Sequence, residues 1–88
     1  MTTEELQDRL IRFSADIILL TDSLKRTKAG LALTDQLSRS GMSAALNYGE
    51  ASAAESSRDF IHKLRVSLKE LRETWIALCT VRISKLNF

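Results

Sequence analysis

The stretch Ser40-Gly41-Met42-Ser43-Ala44-Ala45-Leu46-Asn47-Tyr48-Gly49-Glu50-Ala51-Ser52-Ala53-Ala54-Glu55-Ser56-Ser57 decides the fold, because twelve of its eighteen residues are Ser, Ala or Gly. Such a composition is that of a flexible linker. A second pattern runs through it, however: Leu37, Gly41, Ala44, Tyr48 and Ala51 recur at 4-3-4-3 spacing, the repeat of one helix face. A helix with small residues on its buried face lets a neighbouring backbone approach closely, as at small-residue contacts between membrane helices. Gly41 and Gly49 each cost about 1 kcal/mol against Ala in a helix interior, a cost that close packing has to offset. The register favours a tightly packed helix from Leu31 to about Ala53 over a linker.

The flanking segments are helical by simpler signs. No proline occurs, and the three glycines all fall between Gly30 and Gly49. Thr2, followed three residues later by Glu5, forms a capping-box pattern. Leu6, Leu10, Phe13, Ile17, Leu20 and Leu24 then recur at 4-3-4-3-4, widened by Ile11 and Ile18. That spacing predicts a helix over about 4–25 packing against two neighbours. Lys25-Arg26-Thr27-Lys28-Ala29-Gly30 reads as a connection, with cations at the preceding helix C-terminus and Gly30 available for a turn. On the other side, Ser56 and Asp59 open a helix over about 57–81, whose seam is Phe60, Leu64, Leu68, Leu71, Trp75 and Leu78. The residues from Arg82 to Phe88 mix Ile83, Leu86 and Phe88 with polar groups and fit no single pattern.

Eighty-eight residues bound the chain to one domain, 1–88, of all-α class. A chain of this size buries only about 60–65% of its unfolded surface, so self-association is the expected source of further stability. A disulfide cannot supply it, since Cys79 is the only cysteine, and one Cys with one His (His62) cannot complete a zinc site. No cofactor or metal is expected. The polar, acidic start Met1-Thr2-Thr3-Glu4-Glu5 carries no secretory signal, and an apolar run such as Ile17 to Leu20 is far below a membrane span. A cytoplasmic protein with no membrane role and no small-molecule substrate is the expectation. The net charge of +2 is too small to point to nucleic acid by itself.

An ordered set of residues carries a family resemblance. It comprises Gln36-Leu37, Arg39-Ser40-Gly41, Ser43, Asn47-Tyr48-Gly49-Glu50-Ala51, Ala54-Glu55-Ser56, Asp59-Phe60, Lys63-Leu64, Leu68-Lys69-Glu70 and Glu73-Thr74. Over about residues 13 to 78 the chain resembles the bacterial four-helix bundle proteins called S23-like, encoded in intervening sequences of 23S ribosomal RNA genes and elsewhere. The resemblance implies an antiparallel up-down bundle that assembles into a ring-shaped homopentamer. It also implies kinship with the basic pentameric accessory proteins of diversity-generating retroelements, thought to bind nucleic acid. Two departures stand out. The family's fourth helix has no counterpart before Phe88, which leaves an apolar face of the first helix to be covered by a partner. The aromatic pair frequent at Trp75-Ile76-Ala77-Leu78 is here a single Trp75.

Two groups of residues are candidate sites. Arg58, His62, Arg65, Lys69 and Arg72 recur at 4-3-4-3 and fall within about 80° of one another on a helix, about 120° from the apolar seam. One reading is a track that contacts the phosphates of RNA or DNA, weakly and electrostatically. The other is a solvated face, since Asp59, Glu70 and Glu73 adjoin it and can pair with Lys63 and Lys69. Stacking aromatics are missing from the stripe, which disfavours base-specific reading. Asn47, Tyr48 and Glu50 form the second group. One reading is a polar site in a shallow groove left by the small side chains; the favoured one is structural polar contacts, Asn47 or Glu50 bonding a neighbouring helix or subunit, with Arg39 or Arg58 as partners for Glu50. His62 has neither nucleophile nor carboxylate partner at a recognisable spacing, and no phosphate-binding glycine loop occurs, so no catalytic residue emerges. Cys79 reads as a small buried hydrophobe. The resulting expectation is a non-enzymatic self-assembling bundle with possible nucleic-acid contact; the alternative is a protein-interaction module without it.

Overall fold

The computed structural model describes residues 1–86; Asn87 and Phe88 lie outside the described residues, and with them the apolar end of the tail. Three helices form, α1 (Thr3–Thr21), α2 (Lys28–Ser52) and α3 (Ser57–Ser84), and no strand is present among the described residues. Each start is chemically marked. The Thr2 hydroxyl accepts from Glu5 N–H while the Glu5 carboxylate accepts from Thr2 N–H, the reciprocal box the sequence shows. Thr27 and Ser56 cap α2 and α3 through Gly30 N–H and Asp59 N–H, both at 3.1 Å.

Three boundaries differ from the sequence expectation. The first helix stops at Thr21, short of Lys25, because the Thr21 and Ser23 hydroxyls donate to the Ile18 and Leu20 carbonyls and close its last turn. The second begins at Lys28, so Gly30 is not a turn residue but sits buried in the first turn of α2. A Cβ there would overlap the Lys25 carbonyl oxygen, so Gly30 lets the connection fold back against the helix it feeds. At the far end α3 runs past Val81 to Ser84, and Lys85 caps it in the left-handed region (φ 57°, ψ 38°).

The order of packing places α2 in the middle. Both α1 and α3 lie against it, while no Cα of α1 comes within 8 Å of a Cα of α3. The result is a shallow layer with extents of 44 × 21 × 16 Å. The helix register read from the small-residue stretch holds at every position: Leu37, Gly41, Ala44, Tyr48 and Ala51 are all buried. Gly41 meets Ile17 of α1, where an added Cβ would lie 3.2 Å from Ile17 Cγ2. Leu10 and Ile17 of α1 and Leu24 of the connection after it are buried, and Phe13 packs against the cluster that joins Ile17 and Leu24 to Leu37, Ala77 and Val81. Tyr48 forms a second cluster with Leu10 and Ala45, bordered by Leu6, Leu64 and Leu71.

Small side chains on α2 also bare its backbone carbonyls to both neighbours. Gln7 Nε2 of α1 donates to the Ala45 carbonyl at 3.2 Å, and the Ser14 hydroxyl lies 3.0 Å from the Gly41 carbonyl. From the other flank, the Ser67 hydroxyl of α3 donates to the Ala44 carbonyl at 2.7 Å. The hydroxyls of Thr74 and Ser40, both fully buried, bond each other at 2.8 Å. Each such buried bond contributes about 1 kcal/mol net.

That ladder fixes the face α3 turns inward, and it is not the apolar seam. The buried residues of α3 are Ser67, Glu70, Thr74, Ala77 and Val81. Of the expected seam, Leu64, Leu71 and Leu78 are half-buried, whereas Phe60, Leu68 and Trp75 are exposed. The helix is rotated by about one residue step (100°) from the orientation the apolar pattern suggests. The physical reason is the partner: a small-residue helix accepts close hydroxyl contacts and has no bulk for large side chains to interdigitate with.

Candidate functional site

The residues of the basic row are placed by α3 on its outer side. Arg58, His62, Arg65, Lys69 and Arg72 are all exposed, about 140° around the helix from the buried line and over about 21 Å of its length. Only Lys69 has a carboxylate within 4.0 Å among the described residues, Glu73 at 3.9 Å. Lys63 pairs across to Glu50 of α2 at 3.0 Å rather than along its own helix to Asp59. The row is therefore continuous and largely uncompensated at contact distance, a geometry that attracts phosphate oxygens.

The second group separates into three different roles. Glu50 bonds a neighbouring helix as expected, but through Lys63 and not Arg39 or Arg58, since the antiparallel pairing sets residue 50 opposite residue 63. Arg39 instead donates to the Gln36 side chain at 3.0 Å. Asn47 stays on its own helix, donating to the Ser43 carbonyl and hydroxyl at 2.9 and 3.0 Å, so it does not reach the neighbour expected of it. Tyr48 is core. The three do not converge into one pocket.

The larger feature is apolar, and the sequence reading missed it by placing Phe60, Leu68 and Trp75 on the packed seam. Phe60, Ile61, Leu68, Trp75, Ile76 and Ile83 are exposed along α3, Trp75 at 64% and Ile83 at 75%. They span about 34 Å of helix. Cys79, half-buried rather than buried, shares a shallow apolar groove of about 350 Å³ with Trp75, Ile76 and Ile83. The signal that could have found this strip is the hydroxyl line Ser67 and Thr74, a second inward-facing register on the same helix. On the first helix Ile11 and Ile18 are exposed, as part of the expected uncovered face. Ile11 shares a shallow groove with Met42 and Leu46 of α2.

The titratable chemistry is modest. Asp8 accepts a hydrogen bond from Arg12 at 2.7 Å and, with its charge, raises that guanidinium above its ordinary value, which leaves it charged as before. Among the described residues no three His, Cys, Asp or Glu side chains gather as a metal site, and no helix is long and apolar enough to cross a membrane.

A family model, that of the 23S rRNA-intervening sequence protein, matches residues 4–86. The chain belongs to that family. Its match runs from the first turn of α1 to the residue beyond the Lys85 cap, so the family pattern extends over all three helices and both connections. Comparison with curated proteins and with solved structures finds no match. This intervening-sequence family is not a known enzyme family, and its members are small proteins of poorly defined function.

Proposed function

We propose that this 23S rRNA-intervening sequence protein is a non-enzymatic, cytoplasmic, self-assembling helical protein. The observation that carries this reading is the uncovered strip from Phe60 to Ile83. Exposed contiguous apolar surface of that length is a liability in a monomer and the raw material of a protein interface. A homo-oligomer, in the pentameric form that the family resemblance implies, would bury the strip against another copy. The basic row on the same helix then gives the assembly a weak electrostatic affinity for RNA, because each subunit repeats it. The competing reading, a module that docks a different protein through the same strip, predicts a monomer in isolation.

Light scattering on the purified chain separates the two. The expected mass is a multiple of the 9.9 kDa subunit. Replacement of Leu68 and Trp75 by Ala should lower that mass while leaving the helical circular dichroism intact, since both side chains lie outside the core clusters. A wild-type chain that stays at subunit mass at high concentration would overturn self-assembly.

A further inference from the structure

The chain's positive charge is concentrated where the basic row does not reach. Lys25, Arg26 and Lys28 lie in the connection between α1 and α2 and at the first helical position, and Arg82 and Lys85 lie in the last turn and cap of α3. The antiparallel course of α2 and α3 brings these segments to one end of the layer. A backbone bond fixes the join, Lys25 N–H donating to the Leu86 carbonyl at 2.7 Å. All five side chains are exposed, and none takes part in an ion pair among the described residues. Asp22 is the one carboxylate in the connection.

Five cations against one carboxylate give this end a charge of +4, whereas the whole chain carries +2, so everything else on the molecule sums to −2. The basic row of α3 therefore sits in a net acidic remainder, with Asp59 and Glu73 on its own helix. The helix poles do not supply this charge: α2 brings a positive pole to this end, with no acidic residue in its first turn, while the C-termini of α1 and α3 bring two negative ones. The C-terminus of α3 accounts for Arg82 and Lys85 as dipole partners; no helix pole accounts for Lys25, which lies beyond the end of α1, or for Arg26 and Lys28 beside an N-terminus. Gly30 holds that connection against α2, since any Cβ at residue 30 would push the Lys25 carbonyl away.

We propose that this basic end, built from Lys25, Arg26, Lys28, Arg82 and Lys85, is the principal contact of the protein with the phosphate backbone of RNA, ahead of the row on α3. The inference rests on the nucleic-acid part of the proposed function and relocates it. Binding of a fluorescein-labelled oligouridine, followed by anisotropy across a potassium chloride series, tests it with two charge-matched variants. Arg26→Ala/Lys28→Ala/Arg82→Ala removes three charges from the end, and Arg65→Ala/Lys69→Ala/Arg72→Ala removes three from the row. Loss of three single-strand phosphate contacts lowers the slope of log K against log salt by about 2. The end variant should show that drop and the row variant less than half of it. Equal drops, or a larger one for the row, would overturn the assignment to the basic end while leaving RNA affinity standing. A wild-type chain that does not bind the probe at low salt removes both. Circular dichroism checks that each variant folds, as all six side chains are exposed.

Discussion

Alanine at the three glycines of α2 should have three different effects on stability, one gain and two unequal losses, although the substitution is chemically the same. An interior Gly→Ala exchange gains about 1 kcal/mol of helix propensity. At Gly49 the new Cβ meets only the Gln7 side-chain amide, Oε1 at 3.2 Å and Cδ at 3.9 Å, an unbranched side chain that has to give only a few tenths of an ångström and can do so while keeping its bond to the Ala45 carbonyl. Most of the gain survives there, and Gly49→Ala should stabilise by about 0.5–1 kcal/mol. At Gly41 the Cβ lies 3.2 Å from Ile17 Cγ2 and 3.4 Å from both Cβ and Cγ1. Ile17 is 4% exposed and its χ1 is stiff, so it cannot yield without moving α1. Overpacking of that kind costs about 1–3 kcal/mol, which exceeds the propensity gain and leaves a net loss of about 1 kcal/mol. At Gly30 the obstacle is the Lys25 backbone carbonyl, and the site is already in the first turn, where propensity counts for less. Shifting the connection also disturbs the Thr27 cap, itself worth about 1 kcal/mol, so a loss of about 2 kcal/mol or more follows. Guanidinium unfolding monitored by circular dichroism, at one fixed protein concentration because assembly shifts apparent stability, ranks the series. If Gly41→Ala stabilises as much as Gly49→Ala, the argument from close helix approach is wrong.

Thr74→Val keeps shape but strands the buried Ser40 hydroxyl, and should cost about 1–3 kcal/mol in the same assay, while the double change Ser40→Ala/Thr74→Val recovers part of it. If the double variant is no more stable than Thr74→Val alone, the hydroxyl pair is not coupled. Glu70 is 6% exposed and its Oε2 has no hydrogen-bond partner among the described residues, so Glu70→Gln, which removes a charge from that site, should stabilise by about 1 kcal/mol; a destabilised variant would show that the carboxylate is satisfied. Thr2→Ala removes the hydroxyl arm of the capping box, keeping the backbone N–H of residue 2 that donates to Glu5, and should lose about 1 kcal/mol, checked by faster amide exchange confined to the first turn of α1.

The legible parts of the fold are those in which one helix carries its own evidence. The α1 seam and the α2 register needed only spacing, and Leu10, Ile17, Leu37, Ala44 and Ala51 are buried where that spacing puts them. The orientation of α3 was not legible in the same way. Its large apolar residues outvote Ser67 and Thr74 in any pattern taken alone, and only the bared carbonyls and hydroxyls of α2 reverse the choice. The same limit applies to function. Five basic residues at helical spacing announce themselves on one segment, and the structure keeps them on one exposed face. The basic end joins two segments at opposite ends of α2 and α3 in the chain order, and only the antiparallel return and the bond from Lys25 to Leu86 make it a single surface.

The apolar strip and the basic end are arranged so that assembly and charge are coupled. The strip runs along the length of α3, whereas the cations cap one end of the layer. Copies that associate side by side through their strips in a parallel sense, as around a ring axis, bring all their basic ends to one rim, each adding a local +4. Antiparallel copies would alternate the ends and cancel that field beyond a Debye length of about 8 Å at physiological salt. Parallel assembly thus predicts that an uncharged change in the strip weakens RNA binding. The variant Leu68→Ala/Trp75→Ala removes no cation, yet should lower the salt slope toward that of a single subunit as its mass falls. A variant that dissociates but keeps the wild-type slope would show that each basic end acts alone, and the parallel arrangement would have to be abandoned.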